Sequence, residues 1–391
     1  ALDTVIAWQE FAPRVSAQAG HVRAGGDTRD SGALGLSQPL PFGLSAEAGG
    51  SAADDDTAAW SASLGKRLWG AGSWSGSMAA VWNSRLREQV AANLEELARR
   101  DLVETVRRNY HDVIRKRQTL VSSRLRVEQA RRNLQLAQAR EEPLDIATAQ
   151  VEVPQNEAQV LSGEREVLGA IDQLKETLGM ELETPLEIDE TLPFAAVAPD
   201  AAADVSWCLE HHESLANRRL AIRAIRNDLA RLREDVGPTV TLSGELAGSE
   251  DDGAGEPTEK RITLRAEWPV GTRAERSRLA IKLNELEDAR LALRQEEIRL
   301  QRTVTDLARR LDELQRQVEI DHARMELMET RMRIYQDRWE NGEIDIVEYI
   351  RSQNSVEDAR VTLINDQMTY LDVLARYHNL TGRDRRPAAA R

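Results

Sequence analysis

The stretch Lys260-Arg261-Ile262-Thr263-Leu264-Arg265-Ala266-Glu267-Trp268-Pro269-Val270 alternates apolar and polar side chains, and the seventy residues behind it, Thr272 to Asn341, do not. In the first segment Ile262, Leu264, Ala266, Trp268 and Val270 share one face while Thr263, Arg265 and Glu267 occupy the other, the pattern of a half-buried strand. In the second, Leu279, Leu283, Leu286, Leu293, Leu300, Val304, Leu307, Leu311, Leu314, Val318, Met325, Met328, Met332, Tyr335 and Trp339 follow a 4,3 spacing broken by Arg290, Glu297 and Asp321. A 3.5-residue period belongs to helices wound on partners. At 1.5 Å per residue such a helix is about 100 Å long, too long for a compact core. One segment therefore joins a strand directly to a very long helix.

Working outward, the same plan occurs twice at an offset near 200 residues. Pro41-Phe42-Gly43-Leu44-Ser45-Ala46-Glu47-Ala48-Gly49 corresponds to Pro238-Thr239-Val240-Thr241-Leu242-Ser243-Gly244-Glu245-Leu246, and an acidic turn follows each, Asp54-Asp55-Asp56 or Glu250-Asp251-Asp252. Leu144-Asp145-Ile146 matches Ile344-Asp345-Ile346, and Leu178-Gly179 matches Leu380-Thr381-Gly382 where each half closes. Residues 12–27 parallel 212–228 and are expected to be helical in the same way. The reading is two structural repeats, 1–200 and 201–391. The first has a helix, strands over about 38–50 and 58–70, and helices over 74–140 and 144–179. The second has a helix over 203–234, strands over 237–248 and 259–270, and helices over 272–341 and 345–381. The fold class is mostly α with four strands per chain. Strands of about 12 residues, tilted, match the bilayer hydrocarbon thickness. Four of them cannot close a barrel alone, so three copies are expected to share one.

Composition narrows the function. The chain has 391 residues, 30% charged, with 52 Lys and Arg against 66 Asp and Glu, a formal charge of −14. It lacks a run of about 20 apolar residues, which excludes a helical membrane protein. The acidic balance argues against nucleic-acid partners, which need clustered cations. Aromatic residues make up only 4%, thin for large globular cores. The single cysteine, Cys208, permits no intrachain disulfide. The stretch from Ala1 shows neither a basic nor an apolar leader region, so any signal peptide is expected to have been removed or never to have been present, and position 1 shows no lipid-anchor cysteine. No nucleophile elbow, phosphate loop or zinc signature is present, and nothing supports an enzyme or a cofactor.

The duplicated helix, strand, strand, helix, helix plan resembles the TolC family of outer-membrane efflux factors. The resemblance rests on Ala12-Pro13-Arg14-Val15 in the first helix, the Pro-initiated strands at Pro41 and Pro238, the turn Trp339-Glu340-Asn341-Gly342-Glu343-Ile344-Asp345-Ile346, and the closing Gly179 and Gly382. It implies a homotrimer with one 12-stranded transmembrane β-barrel in outer-membrane lipid, continued into the periplasm as a 12-helix α-barrel tunnel. It implies a periplasmic adaptor and an inner-membrane pump as partners, and a passive exit duct as the function. A soluble coiled-coil scaffold is the alternative from heptads and charge alone, and it leaves the strands and the duplication unexplained. Metal ions, drugs and secreted proteins are the alternative substrate classes.

Within the resemblance, Asp345 and Glu348 match the acidic pair at the tunnel constriction, where three-fold symmetry would gather six carboxylates. Their local reading is a helix start, with Gly342 as a left-handed cap of the preceding helix and Asp345 and Glu348 as a capping box. The family pattern has Asp at the second acidic position, where Glu348 stands. In the first half Arg140-Glu141-Glu142-Pro143 replaces the usual glycine turn, and Pro143 suits the first turn of a helix. Leu144, Asp145, Gly342 and Ile344 are the expected adaptor-docking residues. Trp60, Trp69 and Trp268 suit either an interfacial aromatic girdle or core packing. Cys208, His211 and His212 have a spacing that suits a soft metal, against the plainer reading of a helix with incidental histidines; no metal site is assigned. The acidic loops 51–57 and 249–258 read as solvated extracellular turns, and Glu164-Arg165-Glu166 and Arg99-Arg100 as exposed helix faces.

Overall fold

The computed structural model describes residues 2–24, 27–53, 58–70, 72–73, 78–189, 194, 197–249 and 259–383. Most of both acidic loops, including Asp54 to Asp56 and Glu250 to Asp252, lies outside the described residues. Two compact units divide the chain, residues 1–95 with 213–296 and residues 96–212 with 297–391.

The first unit contains one antiparallel sheet in the order β1 (Arg14–Ala24), β2 (Asp27–Leu40), β3 (Leu44–Ala53), β4 (Ala58–Trp69), β5 (Thr239–Ser249) and β6 (Glu259–Glu267). The expectation of four strands is thus corrected to six. The single strand expected over 38–50 is the end of β2, a tight turn at Pro41–Gly43 and most of β3. Within residues 12–27, expected to be helical, Arg14–Ala24 form β1 and Asp27 begins β2, and the helix α1 before them covers only Leu2–Trp8. The physical reason lies in Arg14 to Ala19, where Val15, Ala17 and Ala19 alternate with Arg14, Ser16 and Gln18. That is a period of two, unlike the helical period of the parallel segment in the second half. The parallel through Arg23-Ala24 is local identity without the same periodicity.

The register makes the sheet amphipathic from edge to edge. Val15, Leu36, Ala48, Ala62 and Leu246 form one cross-strand row, which ends on Lys260 of β6; Arg14, Ser37, Glu47, Ser63, Glu245 and Arg261 form the adjacent row on the opposite face. On the apolar face Val15, Leu34, Leu64, Ile262 and Leu264 are all more than half exposed. Trp60 lies across from Gly50 and Gly248, and its indole occupies the space beside Gly248 where a Cβ would stand at 2.8 Å. Trp69, after an irregularity in β4, pairs with Val240 at the opposite end of the strand.

Helices of this unit pack through small apolar clusters. Ile222 and Leu229 of α5 (Glu213–Val236) meet Leu286 of α6 (Arg273–Glu340). Asn83 of α2 (Ala79–Arg140) donates to Asp228 at 2.7 Å and accepts from Asn227 at 2.9 Å, while Lys282 pairs with Asp228 at 3.3 Å.

In the second unit the ends of α2 and α6 join α3 (Pro143–Leu178), α4 (Ala201–His211) and α7 (Ile346–Thr381). Polar pairs fix the antiparallel register. Along α2 and α3 these are Asn109 with Thr177, Lys116 with Glu166, Arg124 with Glu164 and Arg131 with Glu157. Along α2 and α7 they are His111 with Asp372, Arg126 with Asp358 and the buried Asn133 with Gln353. Glu164 and Glu166, read as part of an exposed helix face, pair with Arg124 and Lys116 of α2. Asp204 of α4, fully buried, accepts from the Tyr377 hydroxyl and from Arg383 at 2.9 Å, which neutralises its charge. Both α3 and α7 end on left-handed glycines, Gly179 and Gly382.

Candidate functional site

At one end of the second unit the two interhelical turns converge on one apolar cluster. Buried Ala137, Ala149, Trp339, Ile346, Tyr349 and Ile350 form it, and Leu134, Tyr335, Ile146, Ile344 and Val347 pack around it. The residues come from α2, α3, α6 and α7, so the cluster binds the equivalent turns of both halves together. Trp339 stacks on Tyr349 with ring centroids 4.9 Å apart and planes 4° from parallel. Arg140 covers the other side, its guanidinium 4.1 Å from the Trp339 ring centroid.

The turns themselves follow from local chemistry. Gly342 has φ +75°, and the N–H groups of Gly342 and Glu343 close on the carbonyls of Trp339 and Arg338 at 3.0 and 2.9 Å, which caps α6. Asp345 then opens α7, its carboxylate accepting the Glu348 N–H at 2.9 Å. In the first half Glu141 takes the left-handed position with φ +63°, where the second half has glycine, and Pro143 occupies the first turn of α3.

Asp345 and Glu348 are both exposed, as are Gly342 and Leu144, whereas Asp145 and Ile344 are half-buried. Asp145 and Asp345 are close enough to interact. Partial burial pushes the Asp145 carboxyl above its usual range, and the negative charges of Glu142 and Asp345 push it further. The structure therefore brings all six expected tip residues to one end of the unit, with Asp145 and Asp345 repelling each other.

Three participants carried weak sequence signals. Arg140 was part of the first turn but had no assigned partner, because its contact with Trp339 spans 199 residues. Trp339 is the last position of the 4,3 pattern and the first residue of the turn motif, and Tyr349 carries no sequence assignment. Farther along α6, Asp321 was visible as a break in the heptad, and it is buried beside Asp366 of α7. Burial and the Asp321 carboxylate together raise Asp366 to about 6.

The Cys208, His211 and His212 spacing leads to separate environments. Cys208 is buried and donates to the Leu380 carbonyl at 3.5 Å, while His211 is exposed and stacks on Trp207. His212 has extended backbone beyond the helix end. Among the described residues no group of three or more His, Cys, Asp or Glu side chains is arranged to hold a metal ion.

A sheet that is apolar and exposed on one face and polar on the other has the pattern of a membrane β-barrel wall, and no described helix is long and apolar enough to cross a membrane. Residues 205–383 match the family model described as Outer membrane efflux protein. Over 97% of the chain the fold is similar to that of solved outer-membrane channels. The outer membrane protein VceC of Vibrio cholerae superimposes with a TM-score of 0.74 at 14% identity, over 97% of this chain and 89% of that one. The outer-membrane channel OprN gives 0.73 at 14% identity, over 97% and 83%. The open-state MtrE outer membrane channel of Neisseria gonorrhoeae gives 0.71 at 13%, over 97% and 82%. No curated protein sequence matches the chain.

Proposed function

We propose that this chain is the outer-membrane exit duct of a tripartite efflux pump, passing substrates from an inner-membrane transporter and a periplasmic adaptor to the exterior. The observation that carries the reading is the continuous apolar face of the six-stranded sheet, exposed in the single chain and backed by a polar face. Apolar surface of this extent in water is unfavourable, and lipid is the solvent it fits. The polar face, with Glu47, Ser63, Glu245, Thr263 and Arg265, suits a water-filled lumen. The alternative soluble scaffold gives that face nothing to contact.

The duct works as a homotrimer, because in lipid both unpaired sheet edges must be closed. Its four long helices per chain then contribute to a twelve-helix periplasmic tunnel. Asp345 and Glu348 form acidic rings at the constriction, holding it under mutual repulsion that favours cations and lowers the cost of opening. Leu144, Asp145, Gly342 and Ile344 receive the adaptor. Selection among metal ions, drugs and proteins belongs to the pump. The chain has no catalytic cycle.

Fractionation tests the reading. Recovery from the outer membrane, in detergent, as a trimer is the expected outcome. A soluble monomer or dimer in detergent-free buffer would overturn it.

A further inference from the structure

We propose that each chain contributes six strands to the shared barrel, closed by a β6–β1 seam between copies, so that a three-chain duct has an eighteen-stranded barrel in place of the expected twelve. This rests on the trimeric duct reading. The β1–β2 hairpin is continuous with the sheet: β2 pairs with β3 over Ser31↔Ala53 to Leu40↔Leu44, so β3 has no free edge for a neighbour. The free edges are those of β1 and β6. With six strands in simple antiparallel order, β1 and β6 run in opposite directions. The β6 of one copy therefore meets the β1 of the next as an antiparallel pair.

Register can be derived from the rows. Within one chain the row that begins at Arg14 ends at Arg261. Around a three-fold barrel this row must advance by the same even number of residues per chain, or the apolar and polar faces would exchange. An advance of six gives a shear equal to the strand number. From a rise of about 3.3 Å and a strand spacing of about 4.8 Å, that shear sets a tilt of about 35°, within the range of outer-membrane barrels. It places Glu267 opposite Arg14 of the partner subunit. In the same register Ala266, Leu264 and Ile262 fall opposite Val15, Ala17 and Ala19 of the partner subunit, apolar against apolar. Arg14 and Glu267 are both exposed, and among the described residues neither forms an ion pair within its own chain. Barrel diameter grows with strand number, so the lumen is about half as wide again as that of a twelve-stranded barrel, in the size class that leaves an aqueous channel.

Cysteine cross-linking in outer-membrane fractions tests the seam. In a Cys208→Ser background, Arg14→Cys with Glu267→Cys is expected to give reducible dimer and trimer bands on oxidation. Glu47→Cys with Glu267→Cys, which reports direct β3–β6 closure, is expected to give none. Bands from the second pair alone, or from neither in a protein still recovered as a trimer, overturn the eighteen-stranded seam and leave the duct reading standing. A protein recovered only as a soluble monomer overturns both. Charge exchange gives an independent measure: Arg14→Glu and Glu267→Arg each weaken the trimer, and the double exchange restores it. Equal trimer stability in all four proteins also overturns the seam.

Discussion

Arg140 donates to the backbone carbonyl of Trp339 at 2.7 Å while its guanidinium lies over the same residue's indole, so one side chain caps α6 and closes the aromatic stack of the tip. The same group reaches the Glu340 carbonyl at 3.3 Å. Helix C-termini carry unsatisfied carbonyls and partial negative charge, and a cation there is favourable. Because Arg140 ends α2 and Trp339 lies near the end of α6, this contact joins the turns of the two sequence repeats.

Replacing Arg140 with Ala is expected to destabilise the tip by about 1–3 kcal/mol, the range for a charge-assisted hydrogen bond. Amide hydrogen exchange should accelerate at residues 338–343 and leave the sheet unchanged. Lys should recover only part of the protection, since an ammonium lacks the planar fork that stacks and bonds together. Unchanged exchange in Arg140→Ala would remove the capping role.

Glu141→Gly is expected to stabilise the first turn. A non-glycine residue in the left-handed region costs about 1–2 kcal/mol, and glycine's greater freedom in the unfolded chain returns only part of that gain. A net rise in stability of the order of 0.5–1 kcal/mol should appear as a higher denaturant midpoint at unchanged slope.

The pair formed by buried Asp321 and half-buried Asp366 makes the α6–α7 contact sensitive to pH. A carboxyl raised in the folded state stays protonated while its unfolded counterpart ionises. The contribution to stability therefore falls as pH rises from about 4 toward 6 and remains low above that. Asp366→Asn should reduce the difference in melting temperature between pH 5 and pH 7.5 and raise stability at the upper value. A pH profile that does not change on this substitution would show that the pair does not couple to folding.

Neutralising the tip acids separates gating from capping. Asn is as good an N-cap as Asp, so Asp345→Asn with Glu348→Gln should keep α7 intact while removing ring repulsion and cation preference. The expected outcome in planar bilayers is a changed single-channel conductance, higher if the carboxylate rings bind and slow passing cations, with reduced cation selectivity. Identical conductance and selectivity would refute the constriction assignment.

Substituting Leu144, Asp145, Gly342 and Ile344 together should abolish co-purification with the adaptor. Trimer recovery from the outer membrane should persist, because these four residues belong to the second unit and the sheet strands to the first. Retained pump assembly would remove the docking role.

Much of this organisation was legible in the chain alone. The change from a two-residue to a 3.5-residue period at Thr272 marks the boundary of β6 and α6. Gly179, Gly342 and Gly382 mark helix ends because left-handed backbone there excludes most other residues. Asp345 signalled the start of α7 through the same hydrogen-bonding capacity that its carboxylate uses on Glu348. The repeat nevertheless misled the reading of residues 12–27. Similarity to 212–228 suggested a helix, while the alternation of Arg14 to Ala19 specified a strand, and alternation prevailed because it decides which side chains can share a face.

Sequence by itself determined the periodicities, and with them which segments are strands and which are long helices, since periodicity is a property of neighbours along the chain. Only the tertiary structure decided that β1 and β2 extend the sheet to six strands, that Arg140 caps the helix ending 200 residues later, and that Asp321 lies beside Asp366. Those relationships depend on which segments meet across the fold, and the free energy of burying apolar surface and satisfying backbone polar groups selects that pairing for the chain as a whole.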